Sequence, residues 1–308
     1  MQAARGFRQA VVKVTGFGRG ARGVIKAMDY ISREGALPLE KDTGEIIQGR
    51  EEQKELIKEW SMDFDGHKRS RDTAQIVFSM PPGSKVEALK AAVRATGARA
   101  FPGNEWVFGV HEDRKHPHAH MIVKMRGKEN GKKLRLNKAD LRQLRSLFAE
   151  AAREQGVMLA ASPRAARGIG WKGERQAIRQ LKQRGIKPEV EKKADEEAAM
   201  ELSRGDREEK PWERAMRERN ELERKTYLEE ARKLRVRAEL EKNKKDLKDR
   251  STLLKAAADL ERFATSMPKP KTWRQMMQER SQQKVQEQQK VKTKPPEKSK
   301  DRGMELEL

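Results

Sequence analysis

The segment His111-Glu112-Asp113-Arg114-Lys115-His116-Pro117-His118-Ala119-His120 holds four of the five histidines in the chain. An apolar run, Trp106 to Val110, precedes it, and Met121-Ile122-Val123 follows. Two short apolar runs around a polar, proline-containing stretch predict a β-hairpin. On a strand, His118 and His120 point to one face because the side-chain period is two. Pairing Val110 through Val123 sets His111 opposite His118, with Cβ atoms about 5 Å apart. Three imidazoles then converge on one side of a ribbon, which is metal-site geometry built without cysteine. A lone strand histidine is ordinarily solvated or satisfied. Three together would repel one another if protonated, so the cluster points to function. His116, in the loop, has no forced orientation and reads as solvated or phosphate-facing.

The chain has 308 residues, 35% hydrophobic and 38% charged, too little apolar content for one large core. Its apolar residues concentrate before about residue 160. The expectation is an α+β domain at residues 1–170, a charged helical extension at 171–262, and a polar helix with a disordered tail at 263–308. A net charge of +22 implies a polyanionic partner, nucleic acid being the commonest; a solvated basic surface or binding to anionic lipid are the alternatives. No apolar stretch approaches the ~20 residues that span a bilayer, and residues 1–20 lack the apolar core of a signal peptide. A cytoplasmic protein without membrane insertion is expected. The absence of cysteine excludes disulfides, thiolate zinc sites and thiol nucleophiles.

Along the chain, Phe7 to Val14 reads as a strand, followed by a loop, Gly16-Phe17-Gly18-Arg19-Gly20-Ala21-Arg22-Gly23, suited to cradle a phosphate through main-chain N–H groups and the guanidiniums of Arg19 and Arg22. It matches no Walker or dinucleotide fingerprint. Val24 to Arg33 predicts a helix ended by Gly35. Leu37 to Ile47 predicts a hairpin turning at Asp42-Thr43-Gly44, Glu51 to Asp63 an amphipathic helix, and Thr73 to Met80 a strand stopped by Pro81-Pro82-Gly83. Ser84 with Glu87 reads as a capping box for a helix to about Ala95. After the histidines come a turn at Gly127 to Gly131, a strand at Lys133 to Leu136, and a helix from Lys138 to Gln155 capped by Asn137 and Gly156. Arg164 to Gly168 is a basic connector, with Arg164 and Arg167 as phosphate contacts. Glu174 to Arg184 is a short basic helix. From Pro188 to about Leu260 the pattern is that of an exposed or partly disordered helix. Thr272 to Gln289 is a further helix candidate, and Lys290 to Leu308 a disordered tail.

The chain has two tyrosines, Tyr30 and Tyr227, the first in the N-terminal helix and the second in the charged extension. Two chemistries remain open for a basic, histidine-bearing protein acting on nucleic acid. A metal-activated water can hydrolyse the phosphodiester, or a tyrosine can attack it and form a covalent ester. An ordinary half-buried aromatic is the structural alternative for Tyr30.

These residues resemble a family. The His111…His118-Ala119-His120 element is similar to the histidine–hydrophobic–histidine motif of HUH endonucleases, and the set resembles the MOB-P conjugative relaxases, the T-DNA border endonuclease group among them. Ile25-Lys26-Ala27-Met28-Asp29-Tyr30-Ile31 looks like the motif with the nicking tyrosine, and Ile76 to Gly83 like the serine-containing second motif. Leu134 to Leu141 and Ser162 to Gly168 also look like family segments. The resemblance covers about residues 8–170. It implies an antiparallel ferredoxin- or palm-like sheet, and site- and strand-specific nicking at an origin of transfer. Tyr30 would form a 5′-phosphotyrosyl link, His111, His118 and His120 would hold Mg2+ or Mn2+, and Ser79 would contact DNA 3′ of the nick. Imidazoles suit Mn, Zn or Ni better than Mg. Asp113 would orient His111 or accept the tyrosine proton, against the alternative of a solvated turn aspartate. Implied partners are single-stranded and transfer-origin DNA, accessory relaxosome proteins and a type IV secretion coupling protein, with passage into the recipient cell. An HUH replication initiator and a non-catalytic DNA binder with a structural metal are the competing functions.

Overall fold

The computed structural model describes residues 4–64, 66–67, 70–113, 115–129, 131–169, 174–204, 209–240, 247–271, 275–276 and 279. The chain divides into two compact units, residues 1–163 with 233–263, and residues 164–232 with 264–308.

The first unit is α+β. A six-stranded antiparallel sheet runs in the order β2 (Val11–Gly18), β5 (Thr73–Ser79), β7 (His118–Lys124), β6 (Trp106–His111), β3 (Leu39–Lys41), β4 (Ile46–Ile47). A small parallel pair joins β1 (Arg8–Gln9) to β8 (Leu159–Ala160). The period-two pattern assigns the faces. Val12, Ile76, Phe78, Phe108, Ala119, Met121 and Val123 point to one side, where α3 (Val86–Ala100) and α4 (Lys138–Glu154) cover them with Leu89, Val93, Leu144 and Phe148. On the other side, α1 (Gly20–Ile31) and α2 (Gly49–Ser61) pack Val24, Met28, Ile31, Leu56 and Trp60 onto Leu39, Val107 and Ile122. This second layer covers the β6, β3, β4 half; on the β2 and β5 half, Lys13 and Thr15 stay exposed and Gln75, Val77 and Ser79 half-exposed.

Most expected elements form. Asn137 caps α4 through a reciprocal box with Asp140, accepting from the Ala139 and Asp140 amides at 2.7 and 3.2 Å and donating its own amide to Asp140 at 2.8 Å. Three readings are corrected. The Gly/Arg segment is not a loop: β2 runs to Gly18, Arg19 is the residue before the helix, and α1 starts at Gly20. The anion at this helix start is internal, since Asp72 Oδ2 accepts from the Gly20 amide at 2.7 Å. Ser84 closes the Pro81-Pro82-Gly83 turn by donating its amide to the Pro81 carbonyl; Lys85 occupies the cap position of α3 without a side-chain bond, and Glu87 pairs with Lys90. Lys133 to Leu136 makes only an isolated bridge, Arg126 to Lys133, in place of a strand.

The second unit carries α5 (Gln176–Gln183), α6 (Glu189–Arg204) and part of α7 (Pro211–Leu240) and α8 (Leu247–Ser266). The connector turns as a short 3-10 helix, Ala165–Arg167. Tyr227 is half-buried, and its hydroxyl donates to the Ala166 carbonyl at 2.8 Å. Arg224 caps the end of α8 by donating to the carbonyls of Ala264 and Met267. The tail expected at 290–308 lies outside the described residues, as does the helix expected at 272–289 apart from residues 275–276 and 279. Among the described residues no helix is long and apolar enough to cross a membrane.

Helix α3 continues past Ala95 to Ala100 because Gly97 lets it lie flat on the sheet: a Cβ there would sit 2.8 Å from the buried Trp106 ring and 3.0 Å from Met121 Cε. Gly97→Ala gains helix propensity of roughly 1 kcal/mol, but overpacking a rigid site costs about 1–3 kcal/mol. The variant should be destabilised by about 1 kcal/mol in chemical denaturation, the overpacking cost outweighing the gain in propensity, whereas Gly103→Ala, which meets nothing within 4 Å, should unfold like the parent. Equal midpoints for both would refute the close-approach account.

Candidate active site

Strands β6 and β7 pair with His111 opposite His118 and Gly109 opposite His120. The pleat that buries Phe108, Ala119 and Met121 therefore delivers all three histidines to the α1 face. His111 and His118 are 2% and 9% exposed, and His120 is half-buried. One ring nitrogen from each lies within 4.8 Å of the others.

Their hydrogen bonds fix the tautomers. A carbonyl oxygen only accepts, so His111 Nε2 carries the proton it donates to Ile31 at 2.9 Å. The lone pair is left on Nδ1, which is buried and has no hydrogen-bond partner among the described residues. By the same rule, His118 Nδ1 donates to the His116 carbonyl at 3.1 Å and keeps its lone pair on Nε2. Burial pushes His111 below the ordinary imidazole range, against the opposing pull of its bond to Ile31, and the Arg33 and His118 charges push it further down. A neutral ring with its second nitrogen anchored is the state a metal ligand requires. The buried, unpartnered Nδ1 fits a divalent ion at this site, and three imidazoles favour the borderline metals.

Tyr30 stands beside this cluster. It is 56% exposed, its ring centroid 5.2 Å from that of His120 and 6.0 Å from that of His111. Its place follows from the way α1 lands on β6. Gly109 has no Cβ; one built there would meet the Ile31 carbonyl at 2.8 Å and Leu39 Cδ2 at 2.7 Å. The chain then leaves α1 through Arg33 and Glu34, both with left-handed φ of 51° and 58°. Buried Ser32 holds that turn, donating to the Met28 carbonyl and accepting from the Gly35 amide.

Asp113 lies near the cluster but is engaged elsewhere, accepting from Arg33 at 2.5 Å with both side chains about half-exposed. Desolvation works to raise its carboxyl, but the Arg33 hydrogen bond and charge outweigh it and hold the group below the usual range. The group bonded to His111 is the Ile31 carbonyl rather than Asp113. Ser79 shares the row of His118 on the neighbouring strand. Arg19 and Arg22 are exposed at the start of α1. Arg22, Lys26 and Tyr30 follow at four-residue spacing, which aligns them along one stripe of a helix. Arg164 and Arg167 belong to the second unit, Arg164 exposed and Arg167 half-buried; Tyr227 lies there too, its hydroxyl pushed up by burial. Nothing in the sequence points to the Ile31 carbonyl, a main-chain group, or to Lys13, which is exposed on the row of His120. The only signal for Gly109 is a glycine inside an apolar strand, a mark of close backbone approach.

Residues 30–157 match a family model described as a relaxase, the MobA/VirD2-like nuclease domain. The matched segment opens on Tyr30 and contains all three clustered histidines. Among curated proteins, the chain is similar to the T-DNA border endonuclease VirD2 of Rhizobium rhizogenes, at 28% identity over 47% of this chain and 38% of the relative. It is likewise similar to the protein of that name from Agrobacterium fabrum, 28% identical over 47% of this chain and 37% of the relative. The chain thus matches well under half the length of these relatives.

Gly109→Ala tests the landing of α1. The added methyl must push the Ile31 carbonyl away from His111 and free the ring. Loss of such an outer partner weakens metal binding roughly 10–100-fold, so Mn2+ affinity measured by calorimetry should fall by at least the lower figure while circular dichroism still shows a folded protein. Unchanged affinity in that variant would mean that the carbonyl does not orient the ligand.

Proposed function

From residues 30–157 as a MobA/VirD2-like relaxase nuclease domain, we propose that this chain is a conjugative DNA relaxase, nicking one strand at an origin of transfer by tyrosine transesterification. The observation that carries the reading is the convergence of the exposed Tyr30 ring on three histidines at one end of the sheet. Tyr227 lacks this setting, since its hydroxyl is engaged by Ala166.

In the proposed reaction, Tyr30 Oη attacks the scissile phosphorus. The bond from phosphorus to the 3′ oxygen breaks, that oxygen takes up a proton as a 3′-OH, and the 5′ phosphate stays on the tyrosine as an ester. One ester replaces another, so the strand can be rejoined. A divalent ion, Mg2+ or Mn2+, held by His111, His118 and His120 would supply Lewis-acid polarisation of the phosphate. Gly109 and the Ile31 carbonyl hold nucleophile and ligand in one frame. Ser79, on the row of His118, contacts the strand 3′ of the nick. Asp113 acts by tethering Arg33 at the end of α1, its lowered carboxyl making it a poor proton acceptor. Arg19, Arg22 and Lys26 lead along α1 toward Tyr30 as phosphate contacts.

We assign nicking to residues 1–170, with Arg164 and Arg167 as further phosphate contacts. The remaining residues would engage accessory relaxosome proteins and a type IV secretion coupling protein, in the cytoplasm and during transfer to a recipient. The net charge of +22 supports a polyanionic substrate.

The adduct decides the mechanism. With Mg2+ or Mn2+ and single-stranded oligonucleotides covering the cognate origin, the parent protein should form a covalent product whose modified peptide contains Tyr30. Tyr30→Phe should form none, Tyr227→Phe should match the parent, and His120→Ala should retain DNA binding but lose cleavage by at least ~100-fold, the Lewis acid contributing several kcal/mol. Hydrolysis without an adduct would favour a metal-activated water, and binding without cleavage would favour a structural metal.

Salt dependence tests the α1 contacts. Each phosphate neutralised on single-stranded DNA contributes about −0.7 to the slope of log K against log salt. Replacing Arg19 and Arg22 together should therefore reduce the slope by about 1.4, two such contributions, and leave the nick position unchanged. A moved nick would mean that these arginines read bases.

A further inference from the structure

We propose that Gln75 reads a base of the bound strand, adenine above the others, on a floor of the sheet beside the histidines. The inference rests on the strand-nicking reading for its substrate class, and on the layout of the α1 face for its residue.

That face is arranged in rows. Val11, Ser79, His118 and His111 form one, Lys13, Val77, His120 and Gly109 the next, and Gly16, Gln75, Ile122 and Val107 the third. Helices α1 and α2 seal Ile122 and Val107 completely. The β2 and β5 ends of the same rows are open, with Val11 39% exposed and Gln75 half-buried. Lys13 supplies a cation to this floor, Val11 and Val77 apolar surface, and Gln75 its one side-chain amide.

The Gln75 amide is placed but not used. It makes no side-chain hydrogen bond among the described residues, in contrast to Gln53, whose side-chain amide is within hydrogen-bond distance of the buried Ser32 hydroxyl. Its position is nevertheless constrained. The register of β2 slips between Val14 and Gly16, and Thr15 Oγ1 reaches the Gln75 carbonyl at 3.4 Å. The amide then lies across Gly16, where a Cβ would stand 3.0 Å from Oε1 and 3.6 Å from Cδ. A half-buried amide held over a glycine has one donor and one acceptor to offer a ligand that covers the floor.

Chemistry selects the ligand. A glutamine amide pairs bidentately with adenine, donating to N7 and accepting from N6. Gln75 is two residues along β5 from Val77, the partner of His120, which amounts to about 7 Å along the strand and about 5 Å across it. A base of a nucleotide close to the phosphate at the histidines falls within that reach. Val77, one row away, offers a base face apolar contact, and Lys13, its partner on β2, meets the backbone charge.

The test uses the full chain and a single-stranded DNA library with a randomised tract. Two pools are sequenced: strands joined covalently to the parent protein, and strands retained non-covalently by the Tyr30→Phe protein. Both should show one adenine-enriched column. Adding Gln75→Ala should flatten that column by about 5- to 150-fold, the range of a single bidentate pair, while the other columns persist. Gln75→Glu should turn the preference toward cytosine, whose N4 amine donates to a carboxylate. Gly16→Ala should weaken the same column by displacing the amide. Persistence of every column in Gln75→Ala overturns the proposal, as does a parent pool with no adenine column. Should the parent form no adduct at all, the strand-transfer reading fails by itself; the non-covalent pool still decides Gln75, since a column that depends on this residue supports base reading and one that does not refutes it. Melting temperatures of the variants confirm that each is folded.

Discussion

The hydrogen bond from His111 to the Ile31 carbonyl ties together two parts of the chain that are 80 residues apart. One partner ends the helix that presents Tyr30. The other ends strand β6 at the three-histidine cluster. Side chains alone would give each group its own freedom; a main-chain acceptor gives none, because moving Ile31 moves Tyr30 with it. Gly109 makes the contact available by leaving room where any Cβ would clash. The site is thus held together across the junction of helix and sheet, as catalysis by positioning would require.

Strand β7 carries His118 and His120 at one end and is locked at the other. Lys124, its last residue, is 4% exposed and pairs with both Glu105 and Asp63, while Trp60 Nε1 donates to Glu105 at 3.2 Å. Burial acts to lower the Lys124 amine, but its two carboxylate partners hold it above the usual range, so the cation persists inside the layer. A buried charge left without its partner costs about 3–5 kcal/mol. These pairs fix the register of β7 at the end remote from the histidines, and a one-residue slip would carry His118 and His120 to the wrong face.

The histidine site is legible in the sequence because a period of two needs no tertiary knowledge: the hairpin, the opposition of His111 and His118, and the common face of His120 all follow from counting. Asn137 is equally plain, since its capping is local. Ser84 misleads because the same small polar residue serves turns and helix starts, and the preceding Pro81-Pro82-Gly83 claims it. The Gly16 to Gly23 segment misleads because glycines suggest a loop, whereas here they allow β2 to crowd Thr73 and α1 to start against Asp72. The Ile31 carbonyl is beyond reach, as a backbone acceptor has no residue type. The pairing of Tyr227 with Ala166 is a long-range contact that composition does not record.

The two-residue strands β1 and β8 lie side by side in parallel, and Ser162 donates to Gln9 across the same seam. The first and last strands therefore finish next to each other, and the path between residues 8 and 160 is nearly a closed circuit. A domain whose ends meet can be entered or left at one point on its surface with little disturbance elsewhere. New N- and C-termini opened at an exposed turn, with the old ones joined by a short linker, would still trace the same sheet. Segments joined at this seam would then leave the meeting of the histidines and the tyrosine in place.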